Sequence, residues 1–134
     1  MSVLKIRRAL ESGLNAITPA LSTAWQNDSF VPVTGTPWQR VDILYTQPDN
    51  VEFGSVFRQD GFMQVSLFYP LKVGTATAET RAELIRSTFK RGNTYTNSGV
   101  DVIISNTPEI TQGRRDDDWW NVNVRIRFFA HITA

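Results

Sequence analysis

Phe62-Met63-Gln64-Val65-Ser66-Leu67-Phe68-Tyr69-Pro70 leads, through the connection Leu71 to Thr75, into a second run that extends from Thr77 to Gly92. The first run alternates: Met63, Val65, Leu67 and Tyr69 fall on one side and Phe62, Gln64, Ser66 and Phe68 on the other, the period of a strand with one better-buried face. Pro70 ends it, since proline cannot donate to a sheet ladder. In the second run Ala78, Ala82, Ile85 and Phe89 recur at helical spacing, with Glu79, Arg81, Glu83 and Arg86 between them, which predicts a helix with one apolar stripe. Thr77 is the expected N-cap. Gly92, just after Lys90 and Arg91, suits the position past the C-terminus, where basic side chains also favour the dipole. The small Ala78 and Ala82 let this helix lie close on the sheet that contains Phe62 to Tyr69.

Upstream, Val3, Ile6, Leu10, Leu14 and Ile17 form the stripe of a first helix, with Lys5, Arg7, Arg8 and Glu11 off it and Ser2 as the N-cap candidate. Gly13 weakens that helix by about 1 kcal/mol relative to alanine, and Thr18-Pro19 ends it. Ala20 to Trp25 reads as a further short turn. Gln26 to Pro37 reads as an extended connection rich in turn residues, with Trp25, Phe30 and Val33 as anchors. A strand over Trp38 to Thr46 points Val41, Ile43 and Tyr45 one way and Arg40, Asp42 and Leu44 the other. Gln47-Pro48-Asp49-Asn50 is a turn cluster, after which the chain passes through Gly54 and Ser55 to Arg58. Asp60-Gly61 is compatible with a hairpin closing into the Phe62 strand and equally with a bulge in one long bent strand.

Downstream, the polar tract Asn93 to Gly99 is expected at a tip or in a mobile loop. Val100, Val102 and Ile104 alternate as another strand, stopped by Pro108. Gln112 to Asp118 reads as a charged loop. Trp120, Val122, Val124, Ile126 and Phe128 then give the cleanest alternation in the chain, opposite Asn121, Asn123, Arg125, Arg127 and Phe129. Strands 100–106 and 119–131 are expected to form a hairpin with a long charged tip. The sum is an α+β fold, a two-layer sandwich with a mainly antiparallel sheet of about four to five strands and two helices on one face.

The 134 residues match one domain, 1–134, large enough for a real core. The net charge of +1, with 13 acidic residues among dispersed basic ones, argues against specific nucleic-acid binding, which favours a basic stripe. There is no cysteine, which removes disulfides and thiolate metal sites. The start, Met1-Ser2-Val3-Leu4-Lys5, carries frequent charge, and no apolar run reaches the roughly 18 residues of a membrane span. The reading is therefore a cytoplasmic product with no membrane partner.

Chemistry is sparse. The one histidine, His131, stands between Ala130 and Ile132 without the three or four ligands of a zinc site. Asp116-Asp117-Asp118 offers hard oxygen ligands, but without the D-x-D-x-D-G spacing and beside Arg114 and Arg115 it reads as a solvated tip. Val73-Gly74-Thr75-Ala76-Thr77 precedes a helix, yet no Lys-Ser/Thr pair follows as in a phosphate loop. No nucleophile is paired with a base. Catalytic residues, metal ligands and cofactors are accordingly none. Arg40-Val41-Asp42 and Arg125-Ile126-Arg127 place charge on outward strand faces, either as solvated surface and edge protection or as faces that meet neighbouring subunits.

The order of residues adds a further indication. Trp25, Gly35-Thr36-Pro37-Trp38-Gln39-Arg40, Gln47-Pro48-Asp49-Asn50, Gly61 to Pro70, Arg81-Ala82, Phe89-Lys90-Arg91-Gly92, Thr107-Pro108-Glu109 and Val124 to Ala130 together resemble a family of small tail proteins of tailed phages and prophages, akin to the tail terminators of long-tailed phages. The resemblance covers nearly the whole chain and rests on structural punctuation rather than a catalytic motif. It implies a non-enzymatic structural protein, present in the host cytoplasm during assembly and then in the virion tail. Such a protein forms a ring, a hexamer on the tail, at the head-proximal end of the tail tube, ends tube polymerisation and offers a docking surface to the neck. The implied partners are copies of itself, the tail tube protein and a head-completion or neck protein. Arg114, Arg115, Asp116, Asp117 and Asp118 of the charged tip, with Arg125 and Arg127, are the candidate assembly contacts, together with the Asn93 to Gly99 tract. A head-tail connector of similar fold is the alternative, and a small enzyme a distant one.

Overall fold

The computed structural model describes residues 2–50 and 55–133. Met1 and the passage through Gly54 lie outside them. The elements follow in the order α1 (Ser2–Asn15), β1 (Ser22–Ala24), β2 (Trp38–Tyr45), β3 (Val56–Pro70), α2 (Ala76–Thr88), β4 (Thr94–Asn97), β5 (Val100–Ile104), β6 (Glu109–Ile110), β7 (Arg114–Asp116) and β8 (Trp119–Thr133). The α+β class, the two helices and the mainly antiparallel pairing agree with expectation. The sheet does not: it has eight strands, not four or five, and curves as a half-barrel.

Two 15-residue strands, β3 and β8, form the spine, paired antiparallel from Val56↔Thr133 to Pro70↔Trp119. β3 is one continuous strand, so Asp60-Gly61 is neither a hairpin nor a break in pairing. Gly61 is required there by close approach: a Cβ would stand 2.4 Å from the Leu44 carbonyl oxygen and 2.8 Å from the Phe128 ring. β2 pairs antiparallel along β3, and β1 pairs parallel with β2. β1 replaces the turn expected over Ala20 to Trp25. On its other side β8 is lined in succession by β5, β6 and β7. The expected β5–β8 hairpin exists, but its connection is not one long loop; two short strands zip it to β8, and the charged tip shrinks to the turn Asp117-Asp118.

Side chains that alternate along the strands meet both helices in one core. Val41 and Ile43, Met63, Val65 and Leu67, Val124, Ile126 and Phe128, and Val102 and Ile104 are all buried with Ile6, Leu10 and Leu14 of α1 and Ala78, Ala82 and Ile85 of α2, joined by Phe89 just beyond that helix. At ~25 cal/mol per Å² of apolar surface this burial is the main stabilising term. α1 packs over β4 and β5, and α2 over β3 and β8.

Several local expectations need correction. Val3 is exposed, and Ala9 takes its place on the buried stripe. α1 begins at Ser2, whose side chain lies outside the description, and ends at Asn15, before the cis Thr18-Pro19 bond. The residue capping α2 is Thr75, without a side-chain hydrogen bond; Thr77 lies inside the helix. Gly92, at φ 90°, stands three residues past the C-cap Phe89 and turns the chain into β4, where its N–H donates to the Ile104 carbonyl. The Asn93 to Gly99 tract contains strand β4, and only Ser98-Gly99, both at positive φ, make the turn. That is the geometry of a tight two-residue hairpin. Val33 is exposed, whereas Phe30 does anchor its loop by stacking on Trp38 at 5.2 Å.

Candidate functional site

The sheet face opposite the helices follows from the same alternation. β2 turns Trp38, Arg40, Asp42 and Leu44 to it; β3 contributes Arg58, Asp60, Phe62, Gln64, Ser66 and Phe68, and β8 adds Asn121, Asn123, Arg125, Arg127, Phe129 and His131. Neither helix packs on this face. At one end Phe30, Trp38 and Phe68 stack, the last two at 4.2 Å, and Trp119 meets Trp38 edge-on at 6.1 Å. Along the rest, arginines lie over aromatic rings: Arg58 at 4.0 Å from Phe129, Arg125 at 4.8 Å from Phe62 and Arg40 at 5.5 Å from Phe68. Each such contact contributes about 0.5–1 kcal/mol at an exposed site. Arg58 and Arg40 are also paired with Asp60 at 2.8 Å and Asp42 at 3.4 Å. The face is therefore aromatic and carries four arginines against two aspartates, with Arg125 and Arg127 outside the ion pairs of the described residues.

The candidate contact residues fall into two patches. Arg114 to Asp118 stay together, all exposed, on β7 and its turn. Arg114 Nε lies 3.5 Å from Asn121 Oδ1, and Arg115 Nε donates to the Asp117 carbonyl at 3.2 Å. Asp117 holds φ 54° to make the turn. None of the three aspartates is in an ion pair among the described residues. Arg125 and Arg127 lie six and eight residues into β8, roughly 20 Å or more from the tip at the rise of a strand. Arg125 is half-buried, with Nη2 donating to Gln64 Oε1 at 3.2 Å, whereas Arg127 is exposed opposite Phe62. His131 is exposed and meets Phe129 edge-on. Among the described residues no group of three or more acidic, histidine or cysteine side chains could hold a metal ion.

Arg81 is the charged residue whose position the alternation of α2 did not reveal. It is only 6% exposed. On a helical wheel it stands about 60° from Ala78, at the flank of the stripe, and that offset was the available signal. Its Nη1 donates to the Pro19 carbonyl, and its Nε is buried without a partner among the described residues. Burial lowers its pKa from the usual guanidinium value and raises that of nearby Tyr69 from 10.0.

The scaffold presents an aromatic outer face and a charged edge. The family model for phage tail terminator proteins matches residues 5–128, and the chain belongs to that family of structural phage tail proteins. No curated protein sequence matches it. One solved structure superimposes with a TM-score of 0.79 at 24% identity, covering 100% of this chain and 99% of the other, and so shares the fold. No described helix is long and apolar enough to cross a membrane.

Proposed function

We propose that the protein, acting as one domain over residues 1–134, closes as a sixfold ring on the head-proximal end of the tail tube. There it ends tube polymerisation and presents a surface to a neck or head-completion protein. The match over residues 5–128 supports this reading. So does a feature of the sheet: at one height along the strands its lateral sides are chemically different. Ser22, Trp38, Phe68, Asn121 and Arg114 form one row across β1, β2, β3, β8 and β7. A small polar strand stands at one end of that row and a charged one at the other. Unlike edges that meet side by side make a heterologous contact, and repetition of such a contact closes a ring where the rotation between copies divides the full turn. The contact residues proposed are Arg114 to Asp118 at the edge, with Arg125 and Arg127 on the outer face. Assembly takes place in the host cytoplasm, and the product remains in the virion tail.

The deciding experiment removes the gene from an otherwise complete phage or prophage and images the tails. Overlong tails are expected. Unjoined tails of normal length would overturn termination and assign the protein to the head-tail connection instead.

A further inference from the structure

A buried arginine normally brings a carboxylate with it, because an unpaired charge removed from water is costly. Arg81 has none. The ion pairs among the described residues are Arg7–Glu11, Arg40–Asp42, Arg58–Asp60 and Arg86–Glu83, and none includes it. Among the described residues its one hydrogen-bond acceptor is the carbonyl of Pro19. Arg81 lines an open cleft of about 380 Å³ whose walls are the apolar surfaces of Pro19, Leu21, Tyr69 and Leu84, with Thr80 also lining it. An apolar cleft with a single guanidinium selects a carboxylate carried on a short side chain, since the planar fork can donate to both carboxylate oxygens and the apolar walls offer no competing polar group.

A source of that carboxylate lies on the same molecule at the β7 edge. Asp116, Asp117 and Asp118 are exposed and without ion-pair partners among the described residues. Tyr69 of the cleft is opposite Trp120, and Pro70 is opposite Trp119, the residue after the acidic turn. Cleft and tip therefore stand at the same height. They are separated across the sheet: the cleft lies over β3, between α2 and the loop that precedes β1, whereas the tip closes edge strand β7 on the far side of β8. Two copies set side by side in the same orientation would bring the tip of one level with the cleft of the next.

We propose that the Arg81 cleft is a socket for an aspartate of the Asp116–Asp118 tip of a second copy of this chain. The proposal rests on the ring reading and gives it a specific lateral contact. Repeated around a ring, each copy offers one tip and one socket, and the counter-charge missing from the folded monomer is supplied by assembly.

The chain has no cysteine, so a cross-link can report the contact. Thr80→Cys, exposed at the cleft, and Asp117→Cys, at the tip, are made in separate chains, mixed with purified tail tubes and oxidised mildly. The mixed disulfide dimer is expected as the main covalent product, exceeding both homodimers, because only that pair meets across the contact. The same mixtures are imaged for rings on tube ends, with unmodified protein alongside. Rings without the mixed dimer would overturn the tip-in-socket contact and leave the ring reading standing. An unmodified protein that forms no ring, on tubes or free at any concentration, would overturn the ring reading and the contact together.

Discussion

Gly13 faces the ring of Tyr95 so closely that a Cβ on it would stand 2.7 Å from Tyr95 Cε1. That ring cannot easily yield: it packs against Phe89 at 4.9 Å, and its hydroxyl donates to the Thr88 carbonyl. Helix propensity alone favours Gly13→Ala by about 1 kcal/mol. The steric term is expected to win, giving a net loss of about 1–2 kcal/mol. Urea denaturation of the variant measures the sign. A more stable Gly13→Ala protein would show that α1 shifts freely over β4.

Gly61→Ala should cost more, about 3 kcal/mol or above, because the obstacle is the backbone oxygen of Leu44 at 2.4 Å rather than a side chain alone. The comparison is made in the same denaturation series. Equal losses for the two glycine variants would contradict the distinction.

Among the outer-face arginines, Arg58→Ala should lose roughly 1 kcal/mol, because it ends both the Phe129 stacking and the Asp60 pair. Arg127→Ala, exposed and outside the ion pairs of the described residues, should change stability by less than about 0.5 kcal/mol. Part of the Arg58 effect should disappear in high salt, whereas the stacking component persists. Thermal melts at two salt concentrations test both statements.

Alkaline stability follows from the buried phenols. Burial raises the pKa values of Tyr45, Tyr69 and Tyr95 above 10.0. Above the ordinary value the unfolded chain loses protons that the folded chain keeps, so stability is unaffected below about pH 9 and falls as pH rises through and beyond 10. Tyr95→Phe removes one of the three groups and should make that fall shallower. A denaturation midpoint that does not change between about pH 8 and 11 would contradict the assignment.

Reversing Arg114 and Arg115 to glutamate should lower ring formation or tail joining while the melting temperature stays within error, since both side chains are exposed and remote from the core. Unchanged assembly would remove β7 from the contact surface. A lowered melting temperature would instead assign the two arginines to stability.

The long elements were legible in the sequence because burial on one side imposes a period: Met63 to Tyr69, Trp120 to Phe128 and the Ala78 to Phe89 stripe all point where their spacing says. β1, β6 and β7 were not legible. With two or three residues each, they have no pattern of their own and exist because β2 or β8 offers unpaired backbone groups at the right register. Arg81 stayed hidden for a different reason. A charge between apolar positions reads as solvent-facing unless the loop that covers it, here the one containing Pro19, is known. The tip was identified by its charge alone, and its distance from Arg125 and Arg127 became visible only with the register of β8.

β8 follows every other element in the chain, yet it is the strand to which β3, β5, β6 and β7 are all bonded. Until its residues have left the ribosome, β3 lacks the second of its two antiparallel neighbours, β6 and β7 have no strand to pair with, and β5 has only β4. The pairs that complete the sheet join β3 to β8 across 49 to 77 residues of chain, which delays native pairing until late in synthesis and slows folding afterwards. A nascent copy that still lacks β8 consequently has no complete sheet, and neither its outer face nor its β7 edge exists until that one strand is made.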